Sequence, residues 1–200
     1  MSCYFTDLQP PEYPIMNLKD FVDDKFLREV ETYIDKQVLD ESGMQGHSNV
    51  NDQSLYRRSK IHWMSNEKYK NSLLPIYQEI SSKVRDVNNR NWRYVIDGWE
   101  PFQYTEYDES YNGHYDWHTD HIASTPFEPN IRKLSFSLGI SDIDDYEGGD
   151  LHIKMKSEED VYKLSRGEIV IFPSWMLHKV TPVTKGKRRV IVGWGKGPFV

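Results

Sequence analysis

After Asn91 the chain changes texture in a way that leaves few folds open to it. Short runs rich in Val, Ile, Tyr, Phe and Trp alternate with turn clusters such as Glu147-Gly148-Gly149-Asp150 and Lys185-Gly186-Lys187. β-branched and aromatic side chains suit a pleated, half-buried surface, and Gly/Asp clusters end it. The spacing predicts strands near 95–107, 114–120, 132–141, 150–154, 168–172, 177–183 and 187–195. Many short strands at even intervals close into a sandwich or a jelly-roll barrel.

The first half reads differently. Leu18, Phe21, Val22, Phe26, Val30, Tyr33 and Ile34 recur at steps of three and four, which predicts a helix from 18 to about 38. Tyr69, Leu73, Ile76, Tyr77, Ile80, Val84 and Val87 repeat that rhythm, with Asn66 as a candidate cap before Glu67. The stretch Asp40 to Asn51 reads as a loop, and the start, with Pro10, Pro11 and Pro14, as an extended, mobile arm. The expected architecture is mostly β with flanking α-helices that cover one sheet face. Residues 1–95 form an arm and helices packed on a core of residues 96–200, one structural domain in all, as suits 200 residues.

Composition excludes several classes of chemistry. Cys3 is the single cysteine, so neither an internal disulfide nor a cysteine metal cage is available, and a metal site must be built from His and carboxylate. No stretch approaches the roughly 20 apolar residues of a membrane helix, and the N-terminus has neither a basic start nor an apolar run, so a cytoplasmic protein is expected. The net charge of −6 argues against broad binding to nucleic acid, despite the local basic run Arg57-Arg58-Ser59-Lys60.

A metal set of that kind is present. In Tyr115-Asp116-Trp117-His118-Thr119-Asp120-His121, residues two apart on a strand share a face, so His118 and Asp120 can grip one ion together. His178 follows the Gly-led apolar run Gly167–Pro173 on a strand of its own, and barrel closure can bring it opposite. Two imidazoles and one carboxylate leave three positions open for a bidentate co-substrate and dioxygen, the arrangement of non-haem ferrous chemistry. The remaining histidines, His47, His62, His114, His121 and His152, read as surface or hydrogen-bonded residues.

Two later features bear on what fills those positions. In Lys187-Arg188-Arg189-Val190-Ile191-Val192-Gly193-Trp194, a strand would put Arg188, Val190, Val192 and Trp194 on one face and Arg189, Ile191 and Gly193 on the other. One arginine then faces inward and needs a planar anionic partner such as a carboxylate, unless both are surface charges. Along 133–141, Leu134, Phe136, Leu138 and Ile140 form an apolar face. Ser135, Ser137, Gly139 and Ser141 form a face of small residues, which either meets solvent or leaves room for a ligand.

Four motifs in order, Tyr107–Asp120, Arg132–Ser141, Tyr146–Leu151 and Gly167–Trp194, resemble the 2-oxoglutarate- and iron-dependent dioxygenase superfamily, in its prolyl 4-hydroxylase-like branch, over roughly residues 96–197. The resemblance implies a double-stranded β-helix, or jelly roll, with Fe(II) on His118, Asp120 and His178. It puts Arg188 on the distal carboxylate of 2-oxoglutarate, with Tyr107 hydrogen-bonded to the same group and Trp194 and Val190 lining that pocket. Trp117, Phe172 and Trp175 are candidates for an apolar shield or for ordinary core packing. Tyr56–Trp63 resembles the Arg-x-Ser stretch at the substrate mouth, though an ordinary edge strand is an equal reading.

The same resemblance implies hydroxylation of a substrate C–H bond, driven by O2 with 2-oxoglutarate as co-substrate and ascorbate as reductant. The substrate expected is a prolyl or other residue of a peptide or protein. The alternatives are a free amino acid or small metabolite, a jelly-roll binding module without catalysis, and a zinc-dependent cupin-like enzyme. The sequence departs from the pattern at the anchor. Several hydroxylases of proteins carry lysine where Arg188 stands, and the second arginine of nucleic-acid demethylating relatives is missing.

Overall fold

The computed structural model of the chain describes residues 14–41, 55–65, 70–121, 130–155 and 157–198. The proline-rich start as far as residue 13, Cys3, His47, most of the 40–51 stretch and the Asn66 cap lie outside them.

The first apolar run divides. Met16–Leu18 is strand β1, and the helix starts only at Asp24, spanning Asp24–Ile34 as α1. The later start has a local cause. The Phe21 and Val22 amides donate to the Gly167 carbonyl, and the Asp23 side chain accepts from the Phe26 amide at 2.8 Å, satisfying a helix-end donor. β2 (Asp40–Glu41), β3 (Arg57–Arg58) and β4 (Lys60–Trp63) precede α2, Lys70–Arg90. α1 buries Leu27, Val30, Tyr33 and Ile34, and α2 buries Leu73, Ile76, Ile80 and Val84, the spacing of a one-faced helix.

Then come β5 (Gly98–Trp99), β6 (Gln103–Asp108), β7 (His114–His118), β8 (Asn130–Gly139), β9 (Tyr146–Gly148), β10 (Leu151–Met155), β11 (Glu158–Tyr162), β12 (Ile169–Pro173), β13 (Leu177–Val180) and β14 (Val183–Pro198). Glu100-Pro101 splits the expected 95–107 strand. β11 escaped the sequence reading because its Glu158-Glu159-Asp160 start carries no apolar alternation; it is an exposed edge strand, where charge discourages pairing with another chain. The Lys185-Gly186-Lys187 cluster is no chain reversal. β14 runs through it, with Gly186 at φ +70° and a register shift against β9 between Val183 and Lys185.

Among the described residues every strand pair is antiparallel. One sheet runs β1-β12-β8-β14-β6-β4-β2, with β5 and β9 also on β14, and a five-stranded sheet runs β11-β10-β13-β7-β3. Alternation sorts the side chains into layers. Leu134, Phe136, Leu138, Ile169, Ile171 and Ile191 share one hydrophobic cluster with the buried faces of α1 and α2. Val170, Phe172 and Val190 point the other way, meeting Leu151, Ile153 and Val180 of the smaller sheet in a second cluster. The helices thus cover one face of the larger sheet, as expected, and the space between the sheets is the barrel interior. Among the described residues no helix is long and apolar enough to cross a membrane.

Candidate metal centre

β7 and β13 pair with His118 directly opposite His178. Asp120 lies just beyond the end of β7, so strand alternation alone does not aim it. Its amide donates to the Ser174 carbonyl at 2.9 Å, and Ser174 is anchored through its own amide to Lys133 and through its hydroxyl to Ser135, 2.8 Å away. The turn after β12 therefore holds the carboxylate.

Each imidazole is set by its own strand. His118 Nδ1 lies 2.7 Å from the Asp116 carbonyl and His178 Nδ1 2.9 Å from the Met176 carbonyl. A carbonyl only accepts, so each Nδ1 carries the proton and each Nε2 keeps a lone pair for a cation. His178 Nε2 is 3.4 Å from Asp120 Oδ2 and His118 Nε2 is 4.0 Å from Asp120 Oδ1. One ligand atom from each of the three residues lies within 4.8 Å of the others. Burial, then the neighbouring His178, pushes the His118 imidazole down to about 3, so it stays neutral. Burial raises Asp120, but His178, His118, the Trp194 indole and Arg132 more than offset it and hold the carboxyl below its usual range. A neutral His118 imidazole beside an ionised Asp120 carboxylate suits a divalent cation.

The three open onto a cavity of about 740 Å³ whose wall includes Arg57, Tyr107, Tyr115, Arg188 and Trp194. Arg188 is 1% exposed, and its Nε and Nη2 have no hydrogen-bond partner among the described residues. A buried charged donor without a partner is costly, and a planar carboxylate is the group that would satisfy its two-pronged fork. Tyr107 stands opposite Arg188 in the β6–β14 ladder, with the guanidinium carbon 5.3 Å from its ring centre. Gly149, at φ +64°, makes room for this side chain: an added methyl would lie 2.9 Å from Arg188 Cδ. The three ligands and the two unmatched nitrogens of Arg188 fit Fe(II) with a dicarboxylate.

Of the small face on β8, Ser135, Ser137 and Ser141 are buried rather than solvated, and Ser137 lines the cavity. Arg188 is the inward arginine, while Arg189 is half-buried and reaches Ser141. Trp194 shares the inward face, yet its contacts lie at the metal end: the indole helps to keep Asp120 ionised, and Arg132 stacks 3.9 Å over its ring. Of the three candidate shield residues only Phe172 reaches the site, edge-on to His178 at 4.8 Å. Trp175 is 56% exposed, and Trp117 lies between Lys154 and Lys179. His62 pairs with Tyr33, His114 with backbone carbonyls and His152 with Glu159, and His121 is exposed, in keeping with their expected structural or surface roles.

Two bulges bring in residues that alternation would send elsewhere. Between Tyr115 and His118 the register against β13 shifts, so both face inward and stack, with ring centres 3.5 Å apart and Arg57 over the outer tyrosine face at 4.5 Å. Arg57, on edge strand β3, is braced by Ser59 and Gln103, so the edge strand also forms part of the cavity wall. A shift between Gly195 and Lys196 likewise turns Arg132, which has the parity of Leu134, into the cavity wall.

Residues 102–196 match the 2OG-Fe(II) oxygenase superfamily. A PKHD-type hydroxylase of Idiomarina loihiensis is 48% identical over 61 residues, 30% of this chain and 28% of that protein. Another, from Synechococcus sp. strain CC9605, is 46% identical over 82 residues, 40% of this chain and 35% of that protein. The matched segments thus span about a third of these relatives' own length. A Pseudomonas putida prolyl-4-hydroxylase has the same fold at TM-score 0.73 and 15% identity, over 93% of this chain and 94% of that one. The Trichoplax adhaerens prolyl hydroxylase, solved with a hypoxia inducible factor peptide fragment, gives 0.69 and 18% over 91% and 83%. In residues 102–196 the chain matches the 2OG-Fe(II) oxygenase superfamily, and over most of its length it shares the fold of prolyl hydroxylases to which it is 15–18% identical.

Proposed function

We propose that this chain is an Fe(II)- and 2-oxoglutarate-dependent dioxygenase that hydroxylates a prolyl or other exposed residue of a peptide. The observation that carries the reading is the pairing, in one cavity, of a His-Asp-His cluster with a buried arginine whose Nε and Nη2 are unmatched. When Fe(II), 2-oxoglutarate and O2 are bound, such a site supplies oxidative decarboxylation to succinate and carbon dioxide, coupled to C–H hydroxylation. His118, Asp120 and His178 would hold the iron. Arg188 would bind the distal carboxylate, with Tyr107 beside it. Trp194 would orient Asp120, and Phe172 would keep water from His178. The protein's part is position and exclusion.

The peptide substrate rests on the names of the relatives, prolyl hydroxylases and PKHD-type hydroxylases, one of them solved with a peptide. A wide cavity with Trp63, 41% exposed, on its wall supports it, since an aromatic surface suits an extended peptide. The same reading makes ascorbate the reductant and the cytoplasm the location, and treats residues 1–95 as a layer packed on the 96–200 core.

Incubation with Fe(II), 2-oxoglutarate, ascorbate and a panel of proline peptides tests it by mass spectrometry. The expected result is a peptide that gains one oxygen with stoichiometric succinate. Succinate with free amino acids but with no peptide would move the substrate to a small molecule. Metal binding without succinate would leave a binding module.

A further inference from the structure

Arg132 has contacts that a substrate-facing arginine does not need. Its Nη2 lies 2.5 Å from Glu100, its guanidinium stacks 3.9 Å over Trp194, and its Nη1 lies 3.9 Å from Asp120 Oδ1. Glu100 in turn is within 3.6 Å of Lys196. The guanidinium is fixed on an edge by a carboxylate and on a face by an indole. Asp120 Oδ1 thus lies between Arg132 and His118, 4.0 Å from the His118 Nε2, whereas Oδ2 has the shorter approach, 3.4 Å, to His178 Nε2.

We propose that Arg132 is a positioning residue, held by Glu100 and Trp194, that restrains Oδ1 of Asp120 so that the carboxylate offers Oδ2 to a metal. The proposal rests on reading His118, Asp120 and His178 as the metal centre. Contacts behind the ligands of this kind orient them and strengthen binding. An arginine is suited because its rigid plane can meet Glu100, Trp194 and Asp120 at once, which a lysine cannot do.

The sign of the effect separates positioning from simple charge. Arg132 is a cation beside a cation site, and removing it leaves Glu100 close by, so a purely electrostatic role predicts tighter metal binding in Arg132→Met. Positioning predicts the reverse, a roughly ten- to hundred-fold weaker affinity. Arg132→Lys keeps the charge and loses the plane; positioning predicts that it remains weakened, charge alone that it matches wild type.

Anaerobic titration with Co(II), followed by its visible absorption, reads both affinity and ligand field without any turnover. The expected result is weaker binding and an altered spectrum in both variants. Wild-type affinity and spectrum in Arg132→Lys, or tighter binding in Arg132→Met, would overturn the proposal. Should Arg132→Met fail to fold, which circular dichroism reports, Arg132→Lys decides alone. Failure of the wild-type protein to bind Co(II) would instead sink the metal-centre reading beneath it.

Discussion

Arg188 is a large cationic side chain wholly inside the barrel, and residues packed against its stem should tolerate little added bulk. Gly149 is one of them. Gly149→Ala would strain a positive-φ turn and press on the arginine stem, so the 2-oxoglutarate concentration for half-maximal turnover should rise with little change in maximal rate. Arg188→Ala should weaken co-substrate binding by roughly 2–5 kcal/mol, the usual effect of truncating one partner of a buried charge pair. Steady-state rates against 2-oxoglutarate concentration measure the first, and calorimetric titration with 2-oxoglutarate the second. His118 gives a prediction in pH. Its neutral form is favoured in the fold down to about 3, whereas the unfolded chain binds the proton near 6.5, so the unfolded state holds more protons between those values. Stability of the metal-free protein should therefore fall as pH drops through that window, by at most about 1.4 kcal/mol per pH unit from this group. His118→Gln should flatten the slope in urea melts. His118, Asp120, His178 and Arg188 stand out in the sequence because their types are rare in a β core, but alternation does not aim Asp120, which sits past the end of β7 and is held by the Ser174 carbonyl. Tyr115 and Arg132 do not stand out, since a bulge resets the phase and leaves no mark in a single sequence.

The helices were readable as existing, and their ends were not. A run of apolar steps continues from Leu18 into α1, but the Phe21 amide is committed to the Gly167 carbonyl, a contact far away in sequence that periodicity cannot register. β11 was missed for the opposite reason: an edge strand needs no apolar face, only a neighbour in β10. α1 and α2 serve the site indirectly, by covering the outer face of β8, β12 and β14, so that the inner face can carry Ser137 and Arg188 among its apolar residues. Leu27→Ala or Ile80→Ala, each in that layer, should lower stability by roughly 2–5 kcal/mol in denaturant melts. The ligand geometry should survive below the transition, with Co(II) affinity unchanged in the folded fraction.

At the scale of the whole molecule the arrangement is three layers: helices, a large sheet and a smaller sheet, with the cavity between the sheets. His118 and His178 come from the smaller sheet and Asp120 from the segment just beyond β7, while Arg188 comes from the larger sheet. A dicarboxylate would thus span both sheets, and its binding should protect β13 and β14 amides from hydrogen exchange together. The central claim is that these two walls form one oxygenase site. Its most direct test is succinate formed from 2-oxoglutarate in air, with Fe(II) and no peptide, by wild type and by Asp120→Ala. Wild type should produce succinate slowly and only with iron, and Asp120→Ala should produce none. Equal succinate from the Asp120→Ala protein would contradict the account.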